Sequence, residues 1–274
     1  MPEPISIEAN GLRFAAYDEG DGPLVVLLHG FPDTADTWAH LRPALVDNGY
    51  RVVAPYMRGY APTEIPDKAP TVQTLAEDVV GLIEACGHDE ATVVGHDWGA
   101  IAAYGATALA PDRIERLCAV AIPHPASIRP SPGLLWTARH FLALNLPGAG
   151  RRIRKNEFAY IEKLYRRWSP TWDFDDTVLD PVQTSLGESG SAEAAASYYR
   201  VARRRPEKLV GRSIDVPTLA IWGTDDPFLD DEDLERARRF FTDDYQTASC
   251  AGGHFVHRES PDEFNDRLLS WLET

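Results

Sequence analysis

The sequence predicts an α/β fold: a mostly parallel central sheet with helices on both faces and a single helical insertion. Short apolar runs without polar alternation, typical of strands that are buried on both faces, occur near residues 24, 51, 91, 116 and 218. Segments with helical periodicity separate most of these runs, as expected when parallel strands are joined by crossover helices. The alternation is interrupted between residues 124 and 212, where no strand-like run occurs.

The first predicted element is a β-hairpin, and buried strands follow it. Asn10-Gly11 separates Ile5–Ala9 from Leu12–Tyr17. Asn-Gly favours a type I′ turn because both residues tolerate a positive φ. The later strands are predicted at Leu24–His29, Arg51–Pro55, Ala91–Gly95, Arg116–Ile122 and Thr218–Trp222.

Helices are predicted between these strands. The segment Val72–Cys86 places Leu75, Val79, Leu82 and Ile83 on one face, which is typical of a helix packed on a core. Further helices are predicted near Trp38–Asn48, in the small-residue segment after Gly99 and at Pro261–Leu272.

Residues 124–212 are predicted to form a helical cap, and residues 1–123 and 213–274 the core. The periodicity of the cap segment is helical, as in Phe158–Trp168 and Ala192–Arg204. The segment contains 15 Lys and Arg against 9 Asp and Glu, a formal charge of +6. The rest of the chain contains 12 against 33, a charge of −21. Charge thus distinguishes the two parts.

The composition excludes several classes of protein. A net charge of −15 opposes binding to nucleic acid or to anionic lipid, both of which depend on Lys and Arg. A hydrophobic content of 44% opposes a disordered acidic chain. Apolar runs are too short for a membrane helix, and the N-terminal residues do not resemble a signal peptide. We therefore expect a cytoplasmic protein.

Neither a cofactor nor a metal is expected. Cys86, Cys118 and Cys250 are too few and too widely spaced for a disulfide framework or a zinc motif, so they are predicted to be free thiols. The sequence also lacks a phosphate loop and a dinucleotide fingerprint.

A candidate nucleophile lies in the segment Gly95-His96-Asp97-Trp98-Gly99, between a predicted strand and a predicted helix. This is the G-x-nucleophile-x-G turn, with Asp where esterases carry Ser. Glycines are needed because side chains two residues before and after the nucleophile would collide across the tight turn. No G-x-S-x-G occurs in the chain, which argues against a serine esterase.

The chain resembles the α/β-hydrolase superfamily and, within it, the branch of epoxide hydrolases and haloalkane dehalogenases. The resemblance covers essentially the whole chain, and the cap of that superfamily corresponds to residues 124–212. The segments that carry it are HGFP at 29–32, APYMRGYAPT at 54–63, GHDWG at 95–99, WGTDDPF at 222–228 and GGHF at 252–255.

The resemblance implies an oxyanion hole and a triad in the order nucleophile, acid, histidine. The backbone N–H groups of Phe31 and Trp98 would form the oxyanion hole. Asp226, after a late strand, is the favoured acid, and the neighbouring Asp225 remains an alternative as a turn-capping residue.

Gly252-Gly253-His254-Phe255 supplies the candidate histidine, because glycines let this loop approach the nucleophile closely. His257 is the nearest competitor and is expected at the surface. His29 and His96 flank the site at positions that build the fold, and we interpret them as structural.

An aspartate nucleophile suits an sp³ carbon, because a carboxylate is ionised at neutral pH and needs no base to activate it. Epoxide opening requires a proton donor for the leaving oxygen, and the resemblance implies two cap tyrosines. Tyr160, in the segment 158–161, and Tyr199, in the segment 198–200, match these positions, with Tyr165 as a competitor of Tyr160.

Dehalogenation is the alternative reaction, because indole N–H groups can bind a halide. Trp98 is one candidate donor. Phe31 occupies the position where dehalogenases commonly carry Asn, and a cap tryptophan remains open among Trp136, Trp168 and Trp172. We favour an epoxide hydrolase acting on a small, neutral, apolar substrate with water, over a dehalogenase and over a non-catalytic ligand-binding protein. A homodimer is possible.

Overall fold

The structure is a computed structural model that describes residues 3–129, 131–203 and 208–274. The described residues form one sheet of eight strands in the order β1-β2-β4-β3-β5-β6-β7-β8. Strands β1, β2 and β4 pair antiparallel, and the pairings among β4, β3, β5, β6, β7 and β8 are parallel. The strands are β1 (Ile5–Ala9), β2 (Leu12–Glu19), β3 (Leu24–Leu28), β4 (Arg51–Pro55), β5 (Ala91–His96), β6 (Ile114–Val120), β7 (Thr218–Gly223) and β8 (Tyr245–Cys250).

Helices cover the sheet and fill the insertion. The α-helices are α1 (Leu41–Asp47), α2 (Val72–Ala85), α3 (Trp98–Leu109), α4 (Pro132–Thr137), α5 (His140–Asn145), α6 (Ala149–Trp168), α7 (Asp180–Gly187), α8 (Ser191–Ser197), α9 (Asp231–Ala237), α10 (Val256–Glu259) and α11 (Pro261–Leu272). Helices α2 and α3 pack together and contact β3, whereas α1 and α11 pack together and contact β4, β7 and β8. The predicted α/β architecture is confirmed.

Strands β3 and β5 are buried along their whole length, which explains their uninterrupted apolar sequences. The Asn10-Gly11 hairpin turn has positive φ at both residues, as predicted. Strand β6 begins and ends two residues earlier than predicted. Strand β8 was not predicted, because its sequence YQTASC is largely polar and its middle residues are exposed at the edge of the sheet.

The described part of the cap segment is helical, as its periodicity indicates, although two predicted helices differ in detail. The predicted helix at Phe158–Trp168 is the second half of α6, which is interrupted where Asn156, Glu157 and Phe158 adopt positive φ. The predicted helix at Ala192–Arg204 is wrong as a single α-helix. It consists of α8 and a 3₁₀ helix at Tyr198–Arg203, and Arg204 lies outside the described residues. The division at residues 124 and 212 stays a prediction.

Close backbone approach fixes the turn between β5 and α3. A Cβ on Gly99 would lie 2.1 Å from the carbonyl oxygen of Leu28, and a Cβ on Gly95 would lie 2.4 Å from the carbonyl oxygen of Gly99. Neither partner atom is a mobile side chain, so the strand and the helix could not stay this close with larger residues. The two glycines of the GHDWG segment are therefore steric requirements.

Gly99→Ala is expected to destabilise the fold by about 2 kcal/mol or more, because the new methyl group collides with backbone atoms. Gly133→Ala, in α4, is the matched control, since the nearest atom to its Cβ would be the hydroxyl oxygen of Ser131 at 3.9 Å. At that helical position alanine should be neutral or stabilising by up to about 1 kcal/mol. Urea denaturation measures both effects, and equal free energies of unfolding for the two variants would contradict the steric argument.

Among the described residues, no helix combines the length and the apolar character needed to cross a membrane.

Candidate active site

Asp97 lies in a strained turn at the end of β5. Its backbone has φ 51° and ψ −116°, outside the region that non-glycine residues ordinarily adopt. A Cβ on Gly30 would lie 2.3 Å from the Cβ of Asp97, so the loop after β3 passes directly against the aspartate. The turn therefore presents the Asp97 side chain towards this loop.

The two carboxylate oxygens of Asp97 have different surroundings. The backbone N–H of Phe31 donates to Oδ1 over 2.8 Å. Oδ2 lies 3.7 Å from Nε2 of His254. The side chain is 16% exposed. Burial alone would raise its pKa, but hydrogen bonding and charge from His254, with further contributions from His96 and Phe31, lower it below the ordinary value. Asp97 is therefore ionised at neutral pH, and among the described residues no backbone N–H donates to Oδ2.

The predicted oxyanion residues both lie beside Asp97. Phe31 already donates its N–H to the carboxylate. Trp98 is the first residue of α3, and amides at that position have no acceptor within their own helix. Both side chains are buried. The positive end of the helix dipole also favours negative charge at this position.

His254 and Asp226 form the second half of the candidate triad. Nδ1 of His254 lies 2.9 Å from Oδ2 of Asp226, whose other oxygen accepts the N–H of Phe228 over 2.9 Å. An ionised carboxylate can only accept, so Nδ1–H is the donor and Nε2 points to Asp97. Asp225, the alternative acid, is exposed and accepts a hydrogen bond from the Thr171 hydroxyl. The structure thus brings Asp226, rather than Asp225, to His254.

The two aspartates change the protonation of His254. Burial alone would lower its pKa, but the charge and hydrogen bond of Asp226, together with those of Asp97, raise the pKa from 6.5 to about 10. His254 is therefore an imidazolium between two carboxylates at neutral pH.

Backbone contacts from the cap also hold His254. Its N–H donates to the carbonyl oxygen of Trp168, at the end of α6, over 2.9 Å. The N–H groups of Gly253 and Phe255, on either side of it, donate to the two oxygens of Glu259 over 2.8 and 3.0 Å. The hydroxyl of Ser169 donates to the same carboxylate. Glu259 and Ser169 thus position the histidine loop, and sequence analysis did not find them because nothing in their local sequence marks them.

The expectation that His257 lies at the surface is wrong. The residue is buried, and its ring packs 4.5 Å from that of Trp38 and 4.6 Å from that of His96. Its Nε2 lies 2.6 Å from the hydroxyl oxygen of Thr37, which itself donates to Asp33. Since that hydroxyl has one proton, Nε2–H of His257 must be the donor. The short helix α10 turns this side chain inwards, which its sequence did not indicate.

His29 and His96, interpreted from the sequence as structural, both make buried hydrogen bonds with the backbone. His29 accepts the N–H of Met57 at Nε2 over 2.9 Å, and its pKa is lowered to about 4 by burial. His96 donates from Nε2 to the carbonyl oxygen of His254 over 2.9 Å. This hydrogen bond helps to hold the backbone of the triad histidine in place.

Tyr199 is the cap tyrosine that packs against the oxyanion residues. Its ring centroid lies 5.3 Å from that of Phe31 and 5.4 Å from that of Trp98. Its hydroxyl is buried, and its proton has no acceptor among the described residues. Burial, and to a smaller extent the charge of Asp97, raise its pKa well above the ordinary value, so it keeps its proton. The indole N–H of Trp98 lies close enough to the phenol oxygen to lower the pKa slightly.

Tyr160 also has a buried hydroxyl without a partner among the described residues, whereas Tyr165, the alternative to it, does not. Burial raises the pKa of the Tyr160 hydroxyl. Tyr165 instead stacks on Phe255 with ring centroids 4.2 Å apart, and its hydroxyl is engaged near the buried Asp33 and Arg258. The free hydroxyl group is thus on Tyr160.

The three cap tryptophans occupy different environments. Trp136 is 70% exposed. Trp172 packs against Tyr165 and beneath Arg258. Trp168 is fully buried 5.4 Å from the ring of His254, and its indole N–H has no acceptor among the described residues. Of the three, Trp168 is the one whose ring adjoins the triad.

His140 is a further residue of the site that the sequence did not indicate. Its ring lies 4.8 Å from that of Trp168 and 5.3 Å from that of Tyr199. Burial lowers its pKa to about 3, so it is neutral. A lone histidine in a short helix of the cap carries no motif, and only the packing of α5 reveals it.

No group of three or more potential metal-ligating residues occurs in the described ranges. The chemistry available to these residues is nucleophilic attack by Asp97, proton transfer by His254 and proton donation by the two phenols.

Because the pKa of His254 is about 10 in the folded state and 6.5 ordinarily, its protonation stabilises the folded protein. This contribution is complete below pH 6.5 and is lost as the pH rises to about 10. We expect the difference in Tm between wild type and His254→Gln to shrink over that interval, as measured by calorimetry. His40→Gln, at an exposed histidine, is the control. Parallel pH profiles for wild type and His254→Gln would contradict the assigned pKa.

Comparisons with known proteins identify the family. The family model described as α/β hydrolase fold matches residues 23–261. The chain is 46% identical to Epoxide hydrolase B of Mycobacterium tuberculosis, with 92% of this chain and 91% of the relative aligned. It is 30% identical to Epoxide hydrolase A of the same organism, with 97% and 96% aligned.

A solved structure shows the same fold. The crystal structure of a putative epoxide hydrolase from Klebsiella pneumoniae superimposes with a TM-score of 0.87 at 26% identity, covering 99% of this chain and 97% of that one. Together with the match of the family model over most of the chain, this shows that the protein belongs to the α/β hydrolase fold family.

Proposed function

We propose that this protein hydrolyses epoxides to vicinal diols through a covalent ester on Asp97. The observation that carries the proposal is the Tyr199 hydroxyl, which is buried beside Phe31 and Trp98 and has no acceptor for its proton in the described chain. An unpaired buried hydroxyl is costly, so its presence next to a nucleophile calls for a bound acceptor. An epoxide oxygen is such an acceptor.

In the first step, Oδ2 of Asp97 attacks an epoxide carbon, because Oδ1 is engaged by Phe31. The C–O bond of the ring breaks and its electron pair stays on the oxygen. Tyr199 and Tyr160, whose buried hydroxyl protons have no acceptor in the described chain, would bind this oxygen, and one of them would give it a proton. The product of this step is a hydroxyalkyl ester of Asp97.

In the second step, water attacks the ester carbonyl carbon. Esterification removes the charge of Asp97, one of the groups that raise the pKa of His254. His254 then loses its proton more readily, and proton transfer to the phenolate restores the tyrosine. Neutral His254 takes a proton from water, and the N–H groups of Phe31 and Trp98 stabilise the resulting oxyanion. Cleavage between Cγ and Oδ2 releases the diol, and the His254 imidazolium returns its proton to the leaving oxygen. The new carboxyl group of Asp97 then gives its proton to His254, which restores the starting ion pair.

The surroundings of the site favour a small apolar substrate. Aromatic rings enclose it, since Phe228 lies 5.0 Å from the ring of His254 and Phe141 lies 4.7 Å from that of Tyr199. His140 is neutral. The named epoxide hydrolases among the relatives support the same substrate class.

Dehalogenation is a second candidate, favoured by the unpartnered indole N–H of Trp168 near His254. A halide would need this N–H together with that of Trp98, and it would leave both tyrosine hydroxyls without a role. Halide release in place of diol formation distinguishes the two reactions. A non-catalytic ligand-binding protein would give a thermal shift with ligand and no product.

Single turnover in ¹⁸O-labelled water tests the covalent step. We expect the first diol to contain no label, because its new oxygen comes from Asp97, and we expect label in Asp97 by peptide mass spectrometry. Asp97→Ala is the control and should form no ester. Label in the diol of the first turnover would overturn the covalent mechanism.

Tyr199→Phe should lower the rate of ring opening by about 10²–10⁴-fold, because a proton donor is lost. It should not lower stability, because a buried hydroxyl whose proton has no acceptor is itself costly. Tyr198→Phe is the adjacent control. That hydroxyl donates to the carbonyl oxygen of Arg58 over 2.8 Å, so its loss should cost about 1 kcal/mol and spare the ring-opening rate. Stopped-flow kinetics and urea denaturation would check both. Equal ring-opening rates for Tyr199→Phe and wild type would exclude Tyr199 as a required donor.

A further inference from the structure

Exposed apolar side chains are concentrated in one part of the cap. Among the described residues, seven large hydrophobic side chains are exposed, and five of them lie between residues 128 and 146. The four most exposed belong to α4, α5 and the residue after α5, with exposed fractions of 53–75%. We call this set the cap apolar face: Ile128, Leu135, Trp136, Leu142 and Leu146.

The same part of the chain is exclusively basic. Residues 116–156 contain no Asp or Glu, in a chain that has 42 of them. Within 124–156 there are six cationic residues, and in the described structure Arg154 is the one of these that forms an ion pair. The other five are Arg129, Arg139, Arg151, Arg152 and Lys155. Positive charge without an acidic neighbour in the sequence therefore accompanies the cap apolar face, and Arg152 lies against α5, where its Nη1 donates to the carbonyl oxygen of Ala143 over 2.7 Å.

Arg139 joins the charge to the apolar side chains. Its guanidinium lies 4.5 Å from the centroid of the Trp136 ring, and its Nη1 donates to the carbonyl oxygen of Trp136 over 2.7 Å. A tryptophan with an arginine over its ring has an apolar body and a charged rim. This combination is typical of side chains at a membrane interface.

The inner side of the same helix forms part of the candidate active site. In α5, Phe141 and His140 pack on the ring of Tyr199, while Leu142 points to solvent and is 75% exposed. Asn145 donates to the carbonyl oxygen of Tyr199 over 2.8 Å. At Leu142, the cap apolar face is therefore separated from the candidate site by the thickness of α5.

We propose that the cap apolar face docks on an anionic membrane surface, with its leucines and Trp136 in the interfacial layer and the surrounding arginines on lipid phosphates. The contacts are those of a peripheral amphipathic surface, which lies in the interface without spanning it. The whole-chain charge of −15 predicts the opposite, but that charge belongs to the core, whereas the cap carries +6. The protein would bind with its core facing away from the lipid.

The positive charge of this region favours an anionic lipid surface over a symmetric dimer as the partner of the cap apolar face. A two-fold dimer through this face would bring two sets of unpaired cations together. An apolar substrate that partitions into the membrane would then be concentrated next to the cap, a consequence that rests on the proposed function. Docking itself does not depend on catalysis.

Flotation with unilamellar vesicles tests the proposal. The vesicles contain phosphatidylcholine alone or with about one-third phosphatidylglycerol. The full-length protein should float with the anionic vesicles at about 0.1 M salt and be released at about 0.5 M salt, because screening weakens the contacts with phosphate. No flotation with anionic vesicles, or equal flotation with both kinds, would overturn the proposal.

Two variants and their controls identify the face. The apolar variant combines Leu135→Gln, Trp136→Gln and Leu142→Gln. Its control combines Ile5→Gln and Leu109→Gln, the two large exposed hydrophobic residues elsewhere in the described part of the chain. The charge variant combines Arg129→Gln, Arg139→Gln and Arg151→Gln, and its control combines Lys68→Gln, Arg239→Gln and Arg267→Gln. Both face variants should lower vesicle partitioning by about tenfold or more, and both controls should retain it.

Sedimentation velocity tests the alternative that a second copy of the chain binds the cap apolar face. One outcome would contradict membrane docking: the protein does not float with vesicles, and it forms a dimer that both face variants abolish. The face would then be the contact between two copies of the chain. Flotation is measured without substrate, so failure of docking and failure of epoxide hydrolysis are separate results. Since the altered side chains are exposed, unchanged melting curves verify that the variants are folded.

Discussion

The close contact between the turn at Asp97 and the loop after β3 is the constraint on which the site depends. Asp97 keeps an unfavourable backbone conformation because β5, α3 and the loop at Gly30 meet with no room for additional atoms. That contact places the N–H of Phe31 on one carboxylate oxygen and leaves the other facing His254. The electrostatics follow, since an aspartate held at this distance helps to raise the pKa of His254.

Most of the sheet and the candidate triad could be predicted from the sequence, because their determinants are local. Buried parallel strands have continuous apolar runs, and tight turns require glycine at fixed spacing, as in Gly95 and Gly99. The choice of Asp226 over Asp225 followed from a resemblance, and the structure gives it a physical basis in burial and in the Phe228 N–H.

The features that sequence analysis missed depend on contacts between distant segments, which cannot be predicted from the local pattern of a single sequence. Strand β8 is polar, and its pairing with β7 makes it a strand. His257 is buried by Trp38 and Thr37, more than two hundred residues earlier in the chain. His140 and Glu259 lie near the triad only after the cap and the last helices have packed. The net charge was equally uninformative, because it averages two regions of opposite sign.

The end of α6 has a consequence for how this architecture can vary. The carbonyl oxygen of Trp168 and the hydroxyl of Ser169 belong to the cap, yet they bond the loop that carries His254. The core is therefore not a complete catalyst to which an interchangeable lid has been added. A chimera that exchanged the cap for one of another shape would have to keep this terminus in register, or the histidine would lose its support. Diversification of the cap is thus restricted at the end of α6, and also at Tyr198 and Ser191, which bond the backbone of the core at Arg58 and Gly59.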